Sequence, residues 1–150
     1  MVKSRDQKIM SFLRRQAIDV TAVKSSRIAA AVGIKNTVIS LGHNSRKTNP
    51  LQARFGKNPL AICLHAEIDA IRNALNHVSP KDLRKATLYV YRMKHPAGTT
   101  EGMQEGMAKP CAGCMRAIES FEFKRVIYTT EEQNSWGVLE RENGFECKQA

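Results

Sequence analysis

Between residues 61 and 130 the chain alternates twice between helix-like and strand-like segments. Residues 61–76 carry Ile68, Ile71 and Leu75 at spacings of three and four, the period of a helix with one apolar face. Residues 87–93 (TLYVYRM) are rich in the β-branched and aromatic side chains that suit a strand. Pro110 then opens a second helix, at the first-turn position where its missing N–H costs nothing. Residues 125–130 (RVIYTT) read as another strand. Such alternation predicts a sheet covered by helices on its faces.

The rest of the chain extends that pattern. Residues 4–23 read as an amphipathic helix, with Ile9, Phe12, Leu13, Ala17 and Val20 near helical spacing. Two apolar runs, 28–33 and 37–41, flank Ile34-Lys35-Asn36 and predict a hairpin. Residues 44–58 and 94–109 read as loops, and 131–143 as a further helix. No repeat, low-complexity tract or Pro/Gly-rich linker divides the chain. The expectation is one domain over residues 1–150, a three-layer α/β fold. A chain of 150 residues can bury a core without staples. No apolar run approaches the roughly 18 residues of a membrane span, and MVKSRDQKIM lacks a signal peptide's apolar stretch, so a cytoplasmic protein is expected.

The net charge of +10 is unevenly placed. Residues 1–57 hold twelve Lys and Arg against Asp6 and Asp19, whereas residues 58–150 balance. That asymmetry suits a phosphate-bearing partner, nucleotide or polynucleotide; a solvated basic face explains the charge equally well.

Two short motifs carry chemistry: His65-Ala66-Glu67 and Pro110-Cys111-Ala112-Gly113-Cys114. Each alone is weak, since a lone HxE is common and a CxxC serves redox sites and zinc knuckles alike. In this order, each near the start of a predicted helix, they match the H-x-E…P-C-x-x-C signature of zinc deaminases. His65, Cys111 and Cys114 are the candidate Zn2+ ligands. Three protein ligands leave an open fourth position and lower the pKa of water there toward about 7. Cys111 and Cys114 lie three apart at a helix start, where the dipole favours thiolates. Glu67, two residues past His65, is the candidate general acid–base.

The stretches LHAEIDAIRNAL, ATLYV and PCAGCMRAIESFEFKRVIY resemble the cytidine/deoxycytidylate deaminase superfamily over roughly residues 25–130, most tightly at the two motifs and two strands. The resemblance is nearest in look to deoxycytidylate deaminases. It implies a mixed five-stranded sheet between helices, with both zinc helices on one face, and assembly as a homo-oligomer. It also implies that Asn44, in Gly42-His43-Asn44 after the second strand, contacts the sugar-phosphate part of a substrate. Ala66 joins the expected substrate contacts, and Arg46, Lys47 and Arg54 are candidates for phosphate. Asp69 departs from the Asn usual in deoxycytidylate deaminases. About forty residues separate Glu67 from Pro110, and the excess in 94–109 would line the mouth of the pocket.

Other residues read as structural. Cys63 fits a small core residue better than a fourth ligand, Trp136 fits core packing, and His43 and His95 fit the surface. The expected activity is hydrolytic deamination of a cytosine nucleotide, deoxycytidine monophosphate first. Two alternatives stay open: a deaminase acting on a base within RNA or single-stranded DNA, and a non-catalytic nucleic-acid-binding domain with structural zinc. Aromatic residues make up only 6% of the chain, few for stacking on bases.

Overall fold

A computed structural model describes residues 2–20, 26–45, 51, 54, 65–96, 102–141 and 145–149. In chain order the elements are α1 (Ser4–Ile18), β1 (Ser26–Ile34), β2 (Thr37–His43), α2 (Ala66–Ala74) and β3 (Ala86–Lys94). They continue with β4 (Gln104–Glu105), α3 (Ala112–Ser120), β5 (Arg125–Thr129), β6 (Trp136–Arg141) and β7 (Phe145–Gln149). The main path of the sheet runs β2-β1-β3-β5-β6-β7, and the short β4 pairs with the end of β3. All pairings are antiparallel except β3 with β5, so the sheet is mixed.

Period-two alternation assigns the two faces. Ala29, Ala31, Tyr89, Tyr91, Met93, Ile127 and Val138 pack against Ile9, Met10, Leu13 and Ala17 of α1. Their neighbours Ala30, Val32, Leu88, Val90, Val126 and Tyr128 pack against α2 and α3. This is the expected three-layer arrangement. Met10 and Leu13 are fully buried, and each such side chain stabilises the fold by about 1.5–3 kcal/mol. No helix among the described residues is long and apolar enough to cross a membrane.

The hairpin turns at Lys35-Asn36, with Lys35 in the left-handed region at φ 57°. The four strands located in the sequence are present as β1, β2, β3 and β5, β6 gives the mixed sheet its fifth, and β4 and β7 bring the described strands to seven. One expected helix is corrected: 131–143 contains strand β6. Trp136 and Val138 face α1 while Leu139 faces the other helices, a period of two rather than 3.6. Gly137 completes the alternation, because a Cβ there would come within 2.2 Å of the Tyr128 ring lying across it. The loop read over 94–109 is also shorter than expected, since β3 runs to Lys94 and β4 takes Gln104 and Glu105.

α2 sits unusually close to β2, and Gly42 is the reason. A Cβ at Gly42 would stand 2.3 Å from the Ala70 nitrogen and 2.6 Å from the Ala66 oxygen. Side chains then tie the two elements. Ser40 Oγ donates to the Ala70 carbonyl (2.7 Å), and Asn73 Nδ2 donates to the Leu41 carbonyl (2.7 Å). The His43 amide donates to Asp69 Oδ2 (3.1 Å). These contacts fix the start of α2 relative to the end of β2.

Candidate metal centre and its cavity

His65 and Cys111 occupy equivalent places. Each is the N-cap of its helix, with extended backbone, so its side chain leaves the helix at the end where backbone N–H groups point outward. Both helices lie on the same face of the sheet. Their starts converge, and Cys114, one turn into α3 and fully buried, completes a group whose donor atoms lie within 4.8 Å of one another. His65 Nδ1 is 3.2 Å from Cys114 Sγ and 3.5 Å from Cys111 Sγ. A tetrahedral zinc ion with ordinary bond lengths sets nitrogen and sulfur donors roughly 3.5 Å apart. The donor set and spacing therefore fit Zn2+.

The electrostatics follow from that crowding. Hydrogen bonds from Cys114 and His65 pull Cys111 down to about 3, so it is a thiolate. The Cys111 thiolate and burial push the Cys114 thiol up. The hydrogen bond to Cys111 raises His65 despite its partial burial. Burial also raises the carboxyl of Glu67, which is 5% exposed.

Beside the triad lies a cavity of about 290 Å³, walled by His65, Glu67 and Cys111, with Asn44 and Ser45 at the end of β2. Ile28 and Val90 supply an apolar floor, and Arg92, Met107, Ala108 and Lys109 close the remaining side. Asn44 is held to β1 in both directions. Its amide donates to the Ile28 carbonyl (3.1 Å), and its Oδ1 accepts from the Ile28 amide (3.0 Å).

The segment 104–109 is anchored over the strand ends. Tyr91 Oη donates to buried Glu105, and the Asn134 amide donates to Glu105 Oε2 (2.6 Å). Gly106 N donates to the Arg92 carbonyl (3.0 Å), and Ala108 N donates to the Thr129 carbonyl (2.9 Å). Thr129 Oγ1 donates to the Gly106 carbonyl (2.7 Å). Met107, Ala108 and Lys109 are thereby held against the cavity.

The structure thus brings together His65, Cys111, Cys114, Glu67 and Asn44. It does not bring in every expected contact. Ala66 packs in the apolar cluster, Arg54 is exposed, and neither lines the cavity. Arg46, Lys47 and Cys63 lie outside the described residues, as does the side chain of Cys147. Asp69 turns away from the cavity to hold the His43 amide and Arg72 (2.5 Å). His43 is exposed, and His95 pairs with the Gly102 carbonyl (2.6 Å). Trp136 packs against Tyr91, with ring centroids 5.7 Å apart. Arg92 and Lys109 were not singled out from the sequence. Their only signal was placement, Arg92 near the end of a strand and Lys109 just before the cysteine motif.

Comparison with known proteins agrees with this geometry. The family model for the cytidine and deoxycytidylate deaminase zinc-binding region matches residues 3–130. No curated protein matches the sequence. Among solved structures, the dCMP deaminase of cyanophage S-TIM5 in complex with dCMP and dUMP aligns with TM-score 0.56 and 17% identity, covering 85% of this chain and 82% of that one. Its apo form aligns equally well, covering 84% of the cyanophage chain. At that identity the likeness is one of fold.

Proposed function

Because the chain belongs to the cytidine and deoxycytidylate deaminase family, we propose that it hydrolyses the amino group from a cytosine nucleotide, converting dCMP and water to dUMP and ammonia. One observation carries the reading: a buried carboxylate, Glu67, shares a cavity with half-buried His65 and exposed Cys111, two members of a zinc-type donor set. A closed structural zinc site has no use for such a group. Zinc held by His65, Cys111 and Cys114 would supply an open position at which water loses a proton near neutral pH.

Glu67 is assigned the proton transfers. Its carboxylate takes the proton of the attacking water and delivers it to N3 of the ring as the C4–O bond forms. The proton of the new C4 hydroxyl then passes through Glu67 to the amino group, the C4–N bond breaks as the C4=O bond of uracil forms, and ammonia leaves. Ile28 and Val90 offer apolar surface for a base, and exposed Met107 stands at the rim. Asn44 is positioned for the sugar. We assign the phosphate to Arg92 and Lys109, the cations of the cavity wall. The cyanophage enzyme of the same fold binds dCMP and dUMP, which supports this substrate class.

Comparing dCMP with deoxycytidine tests the assignment. The monophosphate is expected to have a kcat/KM higher by about tenfold or more, one charge-assisted contact being worth about 1.5–3 kcal/mol. Lys109→Ala should shrink that ratio through KM and leave deoxycytidine turnover nearly unchanged. Equal efficiency on the two substrates would remove the nucleotide reading.

A further inference from the structure

The wall of the catalytic cavity is of two kinds. Ile28 and Val90 stand on strands, Glu67 on a helix, and His65 and Cys111 at helix caps. Met107, Ala108 and Lys109 instead belong to the irregular stretch between β4 and α3. No helix or strand of its own places that stretch, yet it carries Lys109, one of the two cations assigned to the phosphate.

Its placement leads back to Glu105. β1 covers one edge of β3 along its whole length, and β5 covers the other only from Thr87 to Val90. β4 takes up that second edge further on, with Glu105 opposite Met93. Residues paired across two strands share a face of the sheet. The Glu105 side chain therefore lies with Met93 on the α1 side, away from the cavity. It is 2% exposed.

Both its carboxylate oxygens and its main chain are engaged. Tyr91 Oη donates to one oxygen, and the amide of Asn134, a left-handed residue at φ 59°, donates to the other (2.6 Å). Burial and the Glu105 carboxylate push the Tyr91 hydroxyl up, so it stays protonated and donates. The Tyr91 ring is itself packed against Trp136. From the solvent side, Gln133 Oε1 accepts from the Glu105 amide (3.0 Å) and its Nε2 donates to the Glu105 carbonyl (3.2 Å). Glu105 is thus tied to β3 on one side and to the turn after β5 on the other.

An apolar side chain would fill this place without the cost of burying a carboxylate. What the carboxylate adds is direction, because a satisfied buried polar network specifies one arrangement of the segments it joins. On the nucleotide reading above, we propose that Glu105 is a positioning residue that sets phosphate selectivity from the far face of the sheet, by fixing the 106–109 wall and with it Lys109. Misplacing a positioning group by about 1 Å can cost up to about 10²-fold in rate, so a contact two to four residues further along the chain is within its reach.

The test measures the ratio of kcat/KM for dCMP to that for deoxycytidine, with zinc content and melting temperature on the same preparations. Glu105→Leu removes both acceptors and should lower the ratio by about tenfold or more, through KM for dCMP. Turnover of deoxycytidine, which has no phosphate contact to lose, should fall far less. Glu105→Gln keeps an oxygen for the Asn134 amide and an N–H for Tyr91 Oη, and should stay within about twofold of the wild-type ratio. Gln133→Ala, at an exposed residue, covers the case in which Glu105→Leu does not fold and should lower the ratio by about threefold. Adding Lys109→Ala to Glu105→Leu, or to Gln133→Ala, should lower it little beyond Lys109→Ala alone, since coupled residues are not additive. A wild type with no preference for dCMP would remove the nucleotide reading, and this assignment with it. A wild type with that preference, combined with an unchanged ratio in Glu105→Leu and Gln133→Ala, equal losses on both substrates, or full additivity with Lys109→Ala, would overturn the role of Glu105 alone.

Discussion

Replacing Glu67 with Gln is expected to lower turnover of the proposed substrate by about 10²–10⁴-fold, the usual contribution of a positioned general acid–base. The amide keeps the shape of the carboxylate and can still hydrogen-bond, but it cannot carry a proton between water, ring and leaving group. Glu67 is not one of the three clustered donors, so the variant should hold zinc with the same stoichiometry and melt near the wild-type temperature. Metal analysis, a thermal melt and kinetics on one preparation check all three. Loss of zinc along with activity would show that Glu67 acts as a ligand.

The largest expected effect on stability lies at Asp6, on the other face of the sheet. Its carboxylate is fully buried and accepts from Tyr89 Oη (2.6 Å), from both terminal nitrogens of Arg125 (3.1 Å each) and from the Lys3 amide (2.8 Å). Through Asp6 the first turn of α1 is bound to β3 and β5. Asp6→Ala leaves a nearly buried guanidinium without its counter-charge and is expected to cost about 3–5 kcal/mol. The exposed pair Arg84–Glu122 (2.8 Å) is the contrast. Breaking that pair should cost about 1 kcal/mol or less.

The same residue gives a pH dependence of known sign. Burial alone would raise the Asp6 pKa, but Arg125, Tyr89 and the Lys3 amide outweigh it and hold it below its ordinary value of 3.8. A group depressed in the folded state stabilises the protein at neutral pH, and that stability drains away as the pH falls below the ordinary value. The gap between wild type and Asp6→Asn should therefore be widest near neutrality and shrink in acid. Denaturant titrations across that range read it directly, and a gap that grows in acid would contradict the assignment.

The parts of the molecule legible in the sequence are those whose chemistry demands particular residue types. HxE and PCxxC are such patterns, and both sit where the chain starts a helix, so ligand and helix cap coincide at His65 and Cys111. The strands around Tyr89 and Ile127 were legible because both faces are buried and the apolar runs are continuous. β6 was not, because Gly137 interrupts the apolar alternation and is explained only by the Tyr128 ring across the sheet. The long-range partners of Asp6, Glu105 and Gly42 were equally hidden, since each depends on an element distant in sequence. Lys109 joins Arg92 of β3 at the cavity because 104–109 folds back over the ends of β3 and β5.

The central claim, hydrolytic deamination of a cytosine nucleotide, is tested most directly by mass-spectrometric detection of uracil product and measurement of released ammonia. The zinc-loaded wild type and Glu67→Gln would be compared on dCMP, cytidine monophosphate, deoxycytidine, adenosine, guanine and a single-stranded oligonucleotide. The expected result is conversion of dCMP to dUMP with one ammonia per product, dependent on Glu67 and faster than any other member of the panel. A protein that holds its zinc yet releases no ammonia from either cytosine nucleotide would contradict the claim, and conversion of the oligonucleotide alone would move the activity to bases within nucleic acid.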